Sequence, residues 1–377
     1  PRRLHVLAAP GEKDIVDARP LAPDDEIVFM RSDLGSLPPR GEAPPGSRRG
    51  ALIEIDRGGA AALFAFDAPP PRSARRYVRS NARGDRIEAR SYTLEFSRAH
   101  PGILETLRLH PLETEPPPES TTLHAGPETP DILDRVKIRI SGRLLHVIPL
   151  RASERDMEIH VEGLRAGPVR VVRGVRQRVR LMPGYRSPWV DEAQIFYPDG
   201  FEFPLWFAKP PAMSQIVTRL SFRVGPDWSP AARGMRLQVA GAEAPFVVDG
   251  RMDVAERALD ATRASWSVLI GEQAAYFSWL DRGSEGDDVA APKVRIRYRD
   301  NADRPDAPEN HPGEIGSLAY EVHDATGLPA GDYRWTVRTL VLPGFMPGDA
   351  PMVLDALGPA TLHQVIEIPP GPRESSP

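Results

Sequence analysis

Proline occupies 42 of the 377 positions, about one in nine, and glycine another 31. No other feature limits the fold as strongly. Proline cannot donate to a helix or sheet ladder, and glycine frees the backbone to turn. A chain cut this often builds short extended segments rather than long helices. The residues between the cuts agree. In "KVRIRYRD", Val294, Ile296 and Tyr298 share one parity and Lys293, Arg295, Arg297 and Arg299 the other. "DYRWTVRTLVL", "VTRLSFRV" and "SLAYEVHD" alternate in the same way. Period-2 alternation places one set on each face of a strand. Roughly eighteen to twenty segments read as strands. Helical spacing is confined to Arg251–Arg263 and to two turns in "PMVLDALG".

The predicted fold is therefore all-β: a large, mostly antiparallel double-sheet sandwich over residues 131–370. A smaller, less regular β region precedes it at 1–110, with strands in "EIVFMR", "ALIEID", "AALFAF" and "SYTLEF". Residues 111–130, rich in Pro, Glu, Thr and Ser, cannot bury enough surface to offset ordering and read as a linker or surface loop. Residues 371–377 read as a polar tail. "RDNADRPDAPENHPGE" (299–314) reads as a second long loop. Leu328-x-x-Gly331-x-Tyr333 is similar to the tyrosine corner of Greek-key sandwiches, in which the hydroxyl bonds back to upstream backbone. In strand count the main body looks like the supersandwiches of sugar mutarotases and of accessory domains in carbohydrate-active enzymes. That likeness carries no catalytic residue across.

Function classes fall away one by one. There is no cysteine, so disulfides, thiolate metal sites and cysteine nucleophiles are excluded. Net charge is −4, from 48 basic and 52 acidic residues, and gives no field for nucleic acid. No apolar run reaches the roughly 20 residues of a membrane-spanning helix. Nucleotide-binding, hydrolase-elbow and zinc-helix motifs are missing, and the nine histidines form no close ligand pair, so no cofactor or metal is expected. The acidic loops at 281–288 and 299–306 depart from the EF-hand pattern. The chain begins Pro1-Arg2-Arg3 without an initiator Met, so a processed start and an extracytoplasmic, periplasmic or secreted location are expected.

Two segments carry the candidate site. "VRVVRGVRQRVRL" puts Val169, Val171, Val175, Val179 and Leu181 on one face and Arg170, Arg176, Arg178 and Arg180 on the other. Pairing Val161 with Val171 would set Glu162 opposite Arg170 and Asp156 opposite Arg176, leaving Arg178 and Arg180 for a ligand. "LMPGYRSPWVDEAQIFYPDGFEFPLWF" then reads as a loop followed by a hairpin with an Asp199-Gly200 tip, the residue pair favoured in type I′ turns. Phe196, Phe201, Phe203 and Leu205 face the core. Tyr197, Glu202 and Trp206 share the opposite face, and Tyr185, Arg186 and Trp189 lie in the loop. Aromatic rings beside charge can stack on a sugar or anchor a protein. The expected function is non-catalytic binding of a partner protein or glycan, within an envelope or extracellular assembly. The alternative is a polysaccharide lyase or epimerase using Arg, Tyr and His from 160–206.

Overall fold

The computed structural model describes residues 47–55, 59–66, 76–111, 123, 129–182, 184–211, 213–259, 265–281, 294–302, 307–311, 313–356 and 362–368. The linker at 112–122 and 124–128, "EIVFMR" and the acidic loop 282–288 lie outside these residues. The chain forms two compact units, one from residues 1–75 with 348–377 and one from 76–347. The strands between Val78 and Leu109, which the sequence groups with the N-terminus, thus cluster with the main body.

The first unit contains an antiparallel three-stranded sheet. Its central strand β1 (Ser47–Ile55) pairs with β2 (Gly59–Phe66) and with β22 (Leu362–Ile368). Helix α3 (Ala350–Ala356) supplies the two expected turns.

The second unit is a sandwich. One layer is a ten-stranded sheet. It contains β9 (Met157–Ala166), β10 (Val171–Met182), β11 (Tyr185–Arg186), β12 (Val190–Tyr197) and β13 (Gly200–Lys209). It continues through β21 (Gly331–Leu342), β18 (Ala275–Asp281), β17 (Trp266–Ile270), β15 (Arg236–Val239) and β16 (Phe246–Val247). The other layer joins two sheets. Strands β3 (Val78–Ser80), β4 (Arg86–Ala89), β5 (Tyr92–Phe96) and β6 (Leu104–Leu109) run in order. Strands β19 (Val294–Asp300), β20 (Gly316–Val322), β14 (Val217–Trp228), β7 (Leu133–Leu144) and β8 (Ile148–Ser153) form a five-stranded sheet. The Ile132 amide donates to Leu107 across the seam, 3.0 Å away. All strand pairs of both sheets are antiparallel.

One apolar core fills the space between layers. Trp228 meets Tyr276 edge-on at 5.7 Å, Phe222 stacks on Trp335 at 5.4 Å, and Phe96 meets Phe196 at 5.9 Å. The phenylalanine face is core as expected: Phe196 and Phe201 are buried, with Phe203 and Leu205 packed against them. The tyrosine corner forms too. Tyr333 donates its hydroxyl to the Pro329 carbonyl at 2.8 Å. Of the expected helix at 251–263, only α2 (Val254–Ala258) lies among the described residues.

Two predicted registers are corrected. The β12–β13 hairpin turns on Pro198-Asp199, with Tyr197 opposite Gly200 and Phe196 opposite Phe201. Gly200 is therefore in the strand, and its need for glycine is proximity: a Cβ there would sit 2.2 Å from the Thr339 carbonyl oxygen. The turn is chosen by long-range contacts. Arg90 grips the Asp199 carboxylate with two bonds of 2.8 and 2.9 Å, Ser91 donates to Pro198 O, and Tyr92 donates to Tyr197 O. Moving the turn by one residue along both strands preserves parity, so Phe196, Phe201 and Phe203 stay on their predicted face. On the other hairpin, Val175 pairs with Val161 and Val171 with Ala166, with an irregularity between Gly174 and Val175.

Candidate functional site

The outer face of the five-stranded sheet holds a groove of about 410 Å³. Its geometry follows from the registers. Arg139 on β7 is level with Arg223 on β14 and Ser153 on β8, and Arg223 is level with Glu321 on β20. Two residues along, Ser141 is level with Ser221 and Arg151. Alternation puts all of these on one face. Arg297 of β19 completes the lining together with Asp156. Four guanidinium groups thus face two carboxylates, and both carboxylates have other work. Glu321 binds Arg295 at 2.9 Å and lies 3.6 Å from Arg297. Asp156 accepts the Ser153 amide and closes a capping box. Arg139 is held by the buried Glu154 at 2.5 Å and donates to the Ala307 carbonyl. Arg151 is exposed and makes no ion pair among the described residues.

Farther along the same face, Asn310, His311 and Glu314 close over a cluster of buried charge. Lys137 Nζ lies 2.7 Å from Asp227 and 2.5 Å from Glu314, with Asp134 at 3.4 Å. Asp134 accepts the amides of Asn310 and His311, both at 2.7 Å. All four ionisable side chains are buried. Burial raises the Asp227 carboxyl well above its ordinary value, with the Glu314 charge adding to the rise and Lys137 opposing it. Burial opposes the charge on Lys137, but Asp227 and Glu314 together outweigh it and raise the ammonium above its ordinary value. A cluster so closed anchors the residues over it.

The predicted site residues divide into three groups. Arg178, Arg186 and Trp189 come together. Arg178 forms two bonds with Glu158, at 2.8 and 2.9 Å, and lies 4.1 Å from the Trp189 ring centre. Arg186 approaches Glu158 at 3.4 Å, and His160 packs on Trp189 at 5.3 Å. Arg178 holds Glu158 below the usual carboxylate range. The register explains this pairing: Arg178 lies opposite Glu158, so it is not left for a ligand as the sequence predicted. Likewise Arg176 has Glu162 and Asp191 at 3.6 and 3.5 Å, not Asp156. Arg180 is exposed, its backbone level with Arg186. Tyr197 and Glu202 stand apart from that group. Tyr197 is half-buried, and Glu202 is buried, 3.9 Å from Arg338. The side chains of Tyr185 and Trp206 lie outside the described residues.

Sequence alternation missed Arg173, which shares the core parity of Val171 and Val175 and is fully buried. Its guanidinium covers the Phe96 ring at 3.7 Å and donates to Gln194 Oε1 and Pro101 O at 2.5 and 2.7 Å. Burial pushes it down to about 10, so it stays charged at neutral pH. Nearby Glu192 is pushed up to about 8 by burial. Beyond Glu202, β12 and β13 share no further pairs. A cavity of about 90 Å³ lies under this split, lined by Glu192, Gln194, Phe203, Tyr276, Ser278 and Tyr320 among others. Ser278 and Tyr320 hydroxyls bond at 2.9 Å there. Among the described residues no group of three or more His, Cys, Asp or Glu could hold a metal ion. Compared with known proteins, the chain matches no family profile and no curated sequence.

Proposed function

We propose that this protein is a non-catalytic binding module of an extracytoplasmic assembly, and that the groove on the five-stranded sheet takes an anionic glycan. Of the two occupants expected from the sequence, a glycan fits this site better than a partner protein. The carrying observation is the groove lining of about 410 Å³: four arginines, of which Arg139 is held by Glu154 and Arg297 lies near Glu321, while Arg151 makes no ion pair among the described residues. That volume is within the usual range for small-ligand sites. Guanidinium forks suit carboxylate and sulfate oxygens. Serines 141, 153 and 221 add hydroxyls for sugar oxygens. A lyase or epimerase would need a free general base beside the substrate; the lining holds no His or Tyr, and its carboxylates are engaged, Glu321 by Arg295 and Asp156 by the Ser153 cap.

Isothermal titration with oligogalacturonate and with a sulfated oligosaccharide tests this reading. Binding is expected to weaken at least tenfold in Arg151→Ala/Arg223→Ala and to fall with rising salt. Equal affinity for neutral oligosaccharides, or an unchanged double variant, would overturn it.

A further inference from the structure

The turn between β7 and β8 has a composition unlike a surface loop. Leu144 pairs with Ile148, leaving Leu145, His146 and Val147 at the tip. Leu145 and His146 both adopt positive φ, 48° and 67°. Glycine or asparagine is the usual choice for that backbone. Here the tip is apolar and outward-facing: Leu145 is 58% exposed, Val147 73% and Ile148 45%. Ile216, 43% exposed, joins them, since its carbonyl accepts the Leu145 amide at 2.6 Å. Four of the eight large hydrophobic side chains exposed among the described residues are therefore in one place.

The surrounding charge is one-sided. Segments 140–153 and 203–226 contain no Asp or Glu in 38 residues, where the chain average of 52 acids in 377 would place about five. They carry Arg143, Arg151, Arg219 and Arg223. Arg143 is exposed two residues behind Leu145. Arg219 is exposed on β14 with φ 52°, at an irregularity in the β14–β7 pairing.

The geometry points to peripheral docking on an anionic phospholipid surface, with the Leu145–Ile148 tip inserted and Arg143 and Arg219 at the phosphates. Strand rise puts Arg143 about 7 Å behind the tip. That matches the roughly 5–10 Å to which apolar groups enter the headgroup boundary. Arginine stems can lie along the apolar layer while their heads stay at the phosphates, and basic residues near the surface add attraction to anionic lipid. A hairpin tip flanked by Arg143 and Arg219, in strand segments without Asp or Glu, fits such a layer. No helix among the described residues is long and apolar enough to cross a membrane, so contact of this kind would be from one side.

The experiment is co-flotation of the full chain with large unilamellar vesicles, of phosphatidylcholine alone and of phosphatidylcholine with phosphatidylglycerol. Wild type is expected to float with the anionic vesicles and to release in high salt. Val147→Asp, at an exposed site where folding is insensitive, should lower partitioning at least tenfold with an unchanged circular dichroism spectrum and melting temperature. Arg143→Glu should weaken it severalfold. In Val147→Trp the new indole emission should shift to the blue only with anionic vesicles, read against wild type as the background. Arg151→Ala/Arg223→Ala tests the groove separately and should leave tip insertion, read by that emission, in place. Failure of wild type to bind either vesicle would overturn the inference, as would full binding by Val147→Asp. So would a lipid-free dimer abolished by Val147→Asp, which would assign the tip to a second protein chain.

Discussion

Arginines line two surfaces of the sandwich, one along β10 and one across β7, β8, β14 and β19. On β10, Arg173 is inside the core, Arg176 lies between Glu162 and Asp191, and Arg178 is locked to Glu158. On the five-stranded sheet, Arg139 is held by Glu154 and Arg297 lies 3.6 Å from Glu321, while Arg151 lines an open groove with no ion pair among the described residues. The difference arises from neighbouring strands rather than from the arginines themselves. β9 places Glu158 opposite Arg178, whereas Arg139 on β7 has Ser153 of β8 on one side and Arg223 of β14 on the other. A row of cations becomes structural or available according to what the next strand presents.

Substitutions can break this contrast. The largest effect is expected at Arg173→Met, about 1–3 kcal/mol of lost stability for each of the two buried acceptors, Gln194 Oε1 and Pro101 O, left without a donor, read in chemical unfolding. Arg151→Ala should leave unfolding nearly unchanged while weakening anion binding. A result in which Arg151→Ala unfolds the protein and Arg173→Met does not would reverse the assignment.

The pH dependence comes next. Glu192 titrates near 8 in the folded chain against 4.5 ordinarily. Between those values the folded state keeps a proton that the unfolded chain has lost. Stability is therefore expected to be greatest at the acid end of this window and to fall as pH rises toward about 8. Asp227, also raised, contributes with the same sign. Glu192→Gln should flatten part of the slope and Asp227→Asn another part, as read from unfolding midpoints across pH 5 to 8 (roughly the span set by these shifts). The smallest effect is expected at Arg178→Ala: a midpoint close to wild type, and glycan binding in the groove unchanged. Loss of binding there would move the site to the Trp189 cluster.

Alternation made the sheets legible because a strand with one buried face must repeat every two residues. "VRIRYRD", "RWTVRTLVL" and the phenylalanine hairpin all pair as strands with the expected faces inward. The tyrosine corner was legible because its spacing is local. Register was not. Asp-Gly chemistry favours one turn, and three consecutive residues about a hundred positions earlier enforce another. Arg173 escaped notice because a buried arginine breaks the pattern used to find the core, and only a ring, an amide and a carbonyl from three other segments make it tolerable there. The groove is assembled from residues between Arg139 and Glu321, so no single segment announces it. One signal was readable: the absence of acids from 140–153 and 203–226.

The Pro198-Asp199 turn also bears on biosynthesis. A ribosome delivers Arg90, Ser91 and Tyr92 long before the turn they hold, so the clamp stands ready when the hairpin emerges. The opposite edge of β13 has no such advantage. Its partner β21 begins at Gly331, well over a hundred residues later. Until that strand is made, β13 presents an unsatisfied ladder to neighbouring nascent chains. Val341 N donates to Asp199 O, so by alternation Pro204 turns its nitrogen away from this edge to the other, where β12 and β13 have already parted and no ladder partner waits.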